Sequence, residues 1–385
     1  MMNMVDRHTS LQNAIEQELR EHDADVFVHI GDRFDDLLRY LTHFSGPDRD
    51  YAFVYANGRS VLCAPRLFGE QARREFIGDL VRTHRQQVSS PPVARAVETI
   101  NEFTTTNRIL VPAHVSYHSV SSLEDDFEVI TTSSDFGRAQ KTTWERNQIE
   151  SVQTVAQHGM ARAEAVLADA SIHEGAVHWE GELLTTERLR REVNAVLANH
   201  GIQDAGNTVI GAGTSCSDLH FTGDDEIHAD ETILLDISPR GKSGFYADLT
   251  RTFVVGEIDT WTRAAYDAVR EAQDAAFSAL ESGAGIEAKT VHEAVSAVLY
   301  DHGFAVGDVS IGMYHGTGHG VGLSLHEAPS LSRDEVLKEG HVITIEPGVY
   351  DPEKGGVRIE DLIMVTQSGY ENLTDYSRRL APSTR

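Results

Sequence analysis

Two stretches of this chain, about a hundred residues apart, share one pattern: Val193-Asn-Ala-Val-Leu-Ala-Asn-His-Gly201 and Val295-Ser-Ala-Val-Leu-Tyr-Asp-His-Gly303. Each reads as the end of a helix, with glycine just beyond the cap where a left-handed backbone is needed. Each follows a longer helical segment, Trp144–Leu167 and Trp261–Leu280. In the first of these, Ile149, Val152, Ala156, Ala163 and Val166 recur at helical spacing. Each precedes glycine-rich chain carrying a histidine, His220 and His319, then an apolar strand that ends in an acid, Asp236 and Glu346. A second acid follows after 12 residues in one copy and 14 in the other, Asp248 and Glu360, intervals that suit a hairpin returning it beside the first. The pattern predicts a duplicated helix–helix–hairpin unit, which restricts the fold to one with an internal pseudo-twofold.

The four acids constrain the chemistry. A single acid in a strand usually faces solvent, but Asp236, Asp248, Glu346 and Glu360 stand in matched positions in or beside apolar strands. Ionised carboxylates there are costly unless paired or bound to metal, and four together repel one another. Two divalent cations would neutralise them, and oxygen ligands with one imidazole suit manganese, cobalt, zinc or iron. The segment His315-Gly-Thr-Gly-His319-Gly-Val-Gly-Leu-Ser-Leu-His326-Glu-Ala-Pro lets backbone approach a ligand closely. It has no P-loop lysine and no dinucleotide fingerprint, and Ser330 stands where a His-Glu-x-x-His motif needs its second histidine. Its histidines could be ordinary surface polarity; the flanking Val321, Leu323 and Leu325 predict burial instead.

Residues 1–135 read as a smaller α/β domain: a helix at Leu11–Glu21, a strand at Val26–Ile30, a helix at Asp36–Phe44, and strands at Ile109–Val111 and Phe127–Ile130. Tyr51–Tyr55 and Ser60–Ala64 flank Asn57-Gly58, a strong hairpin signal. No cluster of histidines and carboxylates is read here, so the expected role is a lid or dimerisation surface. The polar stretch Ser133–Thr143 sets the boundary, leaving 136–385 as the domain that carries the chemistry. The formal net charge of −27 argues against nucleic acid and anionic membrane as partners. Only five of the 33 basic residues are lysine, and this excess of acid with arginine for lysine matches the habit of halophilic archaeal proteins. Met1–Gln17 carries no basic start and apolar run, so a cytoplasmic location is expected. Cys63 and Cys216 are too few for a disulfide framework and read as buried thiols.

Asp236 and Asp248-Leu-Thr-Arg251-Thr, Gly318-His319-Gly-Val-Gly-Leu with His326-Glu, Ile345-Glu346-Pro-Gly, and Gly356-Val-Arg358-Ile-Glu360-Asp together resemble the pita-bread metallopeptidases of family M24. These include Xaa-Pro aminopeptidase, prolidase, methionine aminopeptidase and the metal-free creatinase. The resemblance is strong over about residues 140–375 and weaker over 1–135. It implies an α+β protein: a C-terminal pita-bread domain behind a creatinase-type α/β domain, assembled as a homodimer.

Carried over by position, Asp236, Asp248, His319, Glu346 and Glu360 would hold two divalent ions, with manganese favoured. Glu346 would act as general base, and His326 and His220 would face the substrate. Arg358 and Asp361 would orient ligands from behind, and Arg251 would be a structural partner. The substrate's free amine would meet the side near Asp236. The expected reaction is two-metal hydrolysis of the N-terminal Xaa-Pro bond of a peptide with proline second. Xaa-Pro dipeptidase is the alternative. A metal-free creatinase-like hydrolase and a non-catalytic binding protein are remoter readings, since all five ligands are present. The Asp236–Asp248 interval is one residue longer than usual, which predicts a longer tip at Pro239–Ser243 over an intact site. Ser330 stands where prolidases tend to carry an arginine for a dipeptide's carboxylate, which tilts the reading toward aminopeptidase.

Overall fold

The computed structural model describes residues 4–84 and 92–383. The chain divides into two compact units, Met1–Arg138 and Ala139–Arg385.

The first unit runs α1 (Met4–Glu21), β1 (Val26–Gly31), α2 (Asp36–Thr42), β2 (Tyr51–Ala56), β3 (Arg59–Pro65), α3 (Gly69–Glu75), β4 (Leu80–His84), α4 (Pro92–Phe103), β5 (Arg108–Pro112), α5 (Tyr117–Leu123) and β6 (Glu128–Thr132). Its strands form one sheet in the order β4-β3-β2-β1-β5-β6. Central strands buried on both faces read as apolar runs, as β2 does and as β1 does but for His29. Val26, Val28, Ala52 and Val54 join one core cluster with Ala96 and Ile100 of α4. On the other face Phe27 meets Phe53 and Phe136 edge-on. The β2–β3 turn has positive φ at both Asn57 (50°) and Gly58 (71°), the backbone that a two-residue hairpin needs. α2 stops at Thr42 and not Phe44, because His43 takes a left-handed φ of 59° and closes the helix.

The second unit opens with α6 (Thr143–Asp169), started by a reciprocal cap between Thr142 and Glu145. Then come a small sheet of β7 (Ser171–His173), β8 (Ala176–Trp179) and β9 (Glu182–Leu183), α7 (Thr186–Asn199), and the sheet β10 (Thr208–Ala212), β11 (Thr232–Ile237), β12 (Thr250–Val254). The second copy follows: α8 (Thr260–Leu280), α9 (Ala288–Asp301), β13 (His319–Gly320), β14 (Glu327–Ser330), β15 (Val342–Ile345), β16 (Gly348–Asp351), β17 (Gly355–Arg358), β18 (Asp361–Thr366) and β19 (Gly369–Asn372). Its main sheet is ordered β14-β13-β15-β18-β19, with β16-β17 a separate hairpin.

The repeat is visible in the packing. α6 and α7 cover β10–β12 around Met160, Val193, Leu197 and Leu235, whereas α8 and α9 cover β15 and β18 around Val269, Val295, Leu299 and Ile343. Gly201 and Gly303 take φ of 71° and 83° just beyond α7 and α9. The copies differ at the hairpin. β11 and β12 turn back directly, with Asp236 opposite Thr250, while β15 and β18 are joined through the inserted β16–β17 hairpin.

Candidate active site

Each acid sits at or beside the end of a strand, and each is held there by the chain around it. Asp236 lies in β11, and Asp248 precedes β12. Ser238 is 3.2 Å from Asp236 Oδ1 and 2.9 Å from Asp248 Oδ1. Glu346 follows β15 and accepts from Thr344 Oγ1 at 3.0 Å; Glu360 precedes β18 and accepts from Thr250 Oγ1 at 2.7 Å. The Glu360 amide donates to the Thr250 carbonyl at 3.1 Å, joining the two copies at the site. Between Asp236 and Asp248 the hairpin tip closes on itself, Gly241 N–H donating to the Phe245 carbonyl and Gly244 N–H to the Gly241 carbonyl.

Two buried glutamines repeat one device. Gln153 of α6 donates to the Asp248 carbonyl (2.8 Å) and accepts the Asp248 amide (3.0 Å). Gln273 of α8 donates to the Ile345 carbonyl beside Glu346 (3.1 Å). Both side chains are fully enclosed.

His319 comes from β13. Its Nδ1 lies 3.1 Å from the Gly320 carbonyl. A carbonyl can only accept, so Nδ1 carries a proton and Nε2 is the nitrogen turned toward the acids. That Nε2 stands 3.3 Å from Glu346 Oε1 and 3.7 Å from Asp248 Oδ2. Gly318 makes the approach possible, because a Cβ there would lie 2.0 Å from the Thr344 carbonyl oxygen. Asp248, His319 and Glu360 each offer a ligating atom within 4.8 Å of the others.

All five residues line one cavity of about 330 Å³, with His220, His326, Ser330 and Arg358. The electrostatics are those of crowded acids. Burial, then the charges of Glu360, Asp236 and Glu346, hold Asp248 well above the carboxylate range. Burial with Glu346 and Asp236 does the same to Glu360. Burial lifts Glu346 to about 7, against the pull of Arg358. An imidazole nitrogen set among carboxylates whose charges are disfavoured is a nitrogen–oxygen donor set short of positive charge. Divalent cations fit it.

Arg358 supplies some of that charge from one side. Its Nη2 donates to Asp236 Oδ2 at 2.7 Å and its Nη1 to Tyr350 Oη at 2.8 Å. Tyr350 Oη lies 2.9 Å from His315 Nε2, and His315 Nδ1 lies 2.7 Å from the Gly316 carbonyl. The protons are thereby assigned: His315 donates through Nδ1, and its Nε2 accepts from Tyr350. Burial and Arg358 push His315 down to about 4, which keeps it neutral. Asp361 points elsewhere, onto Arg251 Nη2 at 2.7 Å, and Arg251 Nη1 donates to the Glu360 carbonyl. Asp361 therefore reaches the acids through the backbone of Glu360.

His326 lies against His319 with ring centroids 4.2 Å apart and planes tilted by 47°, and desolvation by burial lowers it to about 4. Glu327 beside it is buried against Lys141, an ion pair that sequence reasoning missed. His220 is exposed on the loop after a short 3-10 turn (Gly213–Ser217). Cys216 in that turn donates to the Thr232 carbonyl, and burial pushes its thiol to about 11. Gln153, Gln273, Thr250, Thr344 and Tyr350 also escaped the sequence. Only the glutamines left a signal there, as polar residues interrupting the apolar stripes of α6 and α8.

The first unit holds a correction. A histidine–carboxylate cluster does exist there, made by His29, Asp35 and His114. His29 and Asp35 are six residues apart, but His114 is distant in sequence and joins them only when β1 and β5 pair.

Two helix-covered half-sheets with a pocket of acids and histidine where they meet define the pita-bread class. Residues 148–367 match the model of metallopeptidase family M24, and the chain belongs to that family. It is 36% identical over 207 residues to the Xaa-Pro dipeptidase of Pyrococcus furiosus, covering 52% of this chain and 57% of that relative. The chain thus spans little more than half the length of that curated relative. An uncharacterised peptidase of Staphylococcus aureus is 28% identical over 354 residues, 88% of this chain and 92% of its own. Among solved structures, the Xaa-Pro dipeptidase from Bacillus anthracis superposes with a TM-score of 0.84 at 23% identity, covering 98% of this chain and 99% of its own. Prolidase from Pyrococcus furiosus superposes at 0.77 with 25% identity, covering 94% and 99%.

Proposed function

We propose that the chain is a two-metal Xaa-Pro dipeptidase, cleaving dipeptides with proline second. The observation that carries the metal reading is His319 Nε2 standing 3.3 Å from Glu346 and 3.7 Å from Asp248 in a pocket of buried acids. The similarity to the Pyrococcus furiosus dipeptidase supports the substrate class and moves the balance from aminopeptidase to dipeptidase.

Asp236, Asp248, His319, Glu346 and Glu360 would hold two divalent ions, manganese first among manganese, cobalt and zinc. When bound, such ions polarise a carbonyl and make a water acidic enough to attack at neutral pH. The side chains do the rest. Glu346 takes the attacking water's proton on its carboxylate and returns it to the leaving proline nitrogen. His326, neutral above about pH 4, and His220 donate N–H bonds to the oxyanion as it develops. Asp236, fixed by Arg358, faces the substrate amine. Val209, Leu219 and Leu325 add apolar wall to the pocket. A cytoplasmic homodimer adapted to high salt completes the reading.

Ser330 favours a second reading. It pairs with His319 across β13–β14 and lines the pocket, offering a hydroxyl where a dipeptide's carboxylate would want a cation. Xaa-Pro aminopeptidase needs no such cation. A panel of Xaa-Pro and Xaa-Pro-Yaa peptides, at molar salt with manganese, separates the two. Proline released from Xaa-Pro, abolished by chelation and restored by metal, is the expected result. Preference for the tripeptides would favour the aminopeptidase, and turnover of neither would remove both.

A further inference from the structure

The first unit carries ligating side chains where two neighbouring parallel strands end. β1 and β5 pair in parallel, but the chain leaves them in opposite directions: β1 leads through α2 to β2 on one side, β5 through α5 to β6 on the other. Loops diverging from the carboxyl ends of such strands open a crevice, the usual place for a ligand in an open α/β sheet. Three side chains converge on it: His29 from β1, Asp35 from the β1–α2 loop and His114 from the β5–α5 loop.

His29 Nε2 lies 2.8 Å from Asp35 Oδ1, and His114 Nε2 lies 3.5 Å from Asp35 Oδ2. The rings are 5.2 Å apart, and one ligating atom from each residue falls within 4.8 Å of the others. With metal–nitrogen distances of 2.0–2.1 Å, donors of a tetrahedral site stand about 3.3 Å apart. The three groups are therefore near ligating separation already.

A helix cap explains part of this, since Asp35 Oδ1 also accepts from the Leu38 amide at 2.7 Å. It does not explain a second imidazole brought by a separate loop to the other carboxylate oxygen. Nor does it explain His29 itself. That ring is fully buried, and it turns Nε2, the nitrogen that would ligate, to the carboxylate.

We propose that His29, Asp35 and His114 form a mononuclear site for a divalent transition cation, zinc first, with its remaining position open to solvent beside His114. Two imidazoles and one carboxylate select zinc, cobalt or nickel over magnesium or calcium. The side chain of His114 is 56% exposed, which provides the entry path, while His29 anchors the site in the sheet. A bound ion ties both diverging loops to β1 and stabilises the folded unit by mass action.

The test uses full-length protein in two backgrounds, native and Asp248→Asn/Glu360→Gln, so that the metals of the peptidase pocket are counted apart. Each is stripped, re-equilibrated with zinc or cobalt, dialysed and analysed for metal per chain. In both backgrounds His114→Ala, a change at an exposed side chain, should remove one equivalent. Cobalt should show a tetrahedral visible band that the variant lacks. Circular dichroism checks that each variant folds, and Asp35→Asn should give the same loss independently. The same metal content with and without His114 in both backgrounds would overturn the proposal. Failure of the peptidase reading would instead appear as no difference between the backgrounds.

Discussion

Asp248 and His326 stand a few ångströms from the same imidazole, yet their loss should read differently. Asp248 is enclosed among acids whose charges it shares. Asp248→Asn removes a donor and a charge, so metal content and activity should fall together, measured by elemental analysis and proline release. His326 packs on His319 from the pocket side. His326→Ala should keep its metal and lose turnover by about 10²–10³, the worth of one oxyanion donor. His315 makes a pH prediction. Its folded value of about 4 lies below the ordinary 6.5, so proton uptake favours the unfolded chain. Stability should be full above about pH 6.5 and fall as pH drops toward 4; denaturant midpoints for wild type and His315→Gln should therefore draw closer over that window. The acids and His319 were legible in sequence because charged residues at the ends of apolar strands are conspicuous. Tyr350 and Thr250 were not, because their partners Arg358 and Glu360 lie in other segments.

At the scale of elements, Arg251 is the suture. Almost wholly buried in β12, it binds Asp361 of β18, the carbonyls of Thr250 and Glu360, and the carbonyls of Tyr376 and Ser377. Arg251→Met leaves Asp361 buried without its cation and several carbonyls unpaired. A loss of about 3–5 kcal/mol is predicted, read from denaturant unfolding. Helix faces and ends were legible: Ile149, Val152, Ala156, Ala163 and Val166 are all buried as their spacing requires, and both predicted glycine terminators have left-handed backbones. A hairpin was read between Glu346 and Glu360, but not that it forms a separate strand pair, β16–β17, inserted between β15 and β18, because an interval does not show which strands pair.

Over the whole molecule the dominant quantity is charge. A net −27 spread on the surface repels itself at millimolar salt and is screened at molar salt, where the Debye length shrinks to about 3 Å. The melting temperature should rise steeply between those conditions; an unchanged value would refute the salt adaptation. No helix among the described residues is long and apolar enough to cross a membrane.

The duplication, the two-part organisation and the acids that crowd the pocket could be read from order alone, because strand ends, helix periods and charge are local properties of the chain. Which way each donor points could not. The proton on His319 follows from the Gly320 carbonyl, the grip on Asp236 from Arg358, and the His29–Asp35–His114 cluster from the pairing of β1 with β5. The first is a local contact fixed by the folded backbone; the other two join segments distant in sequence, whose distances exist only after the sheets and helices have packed.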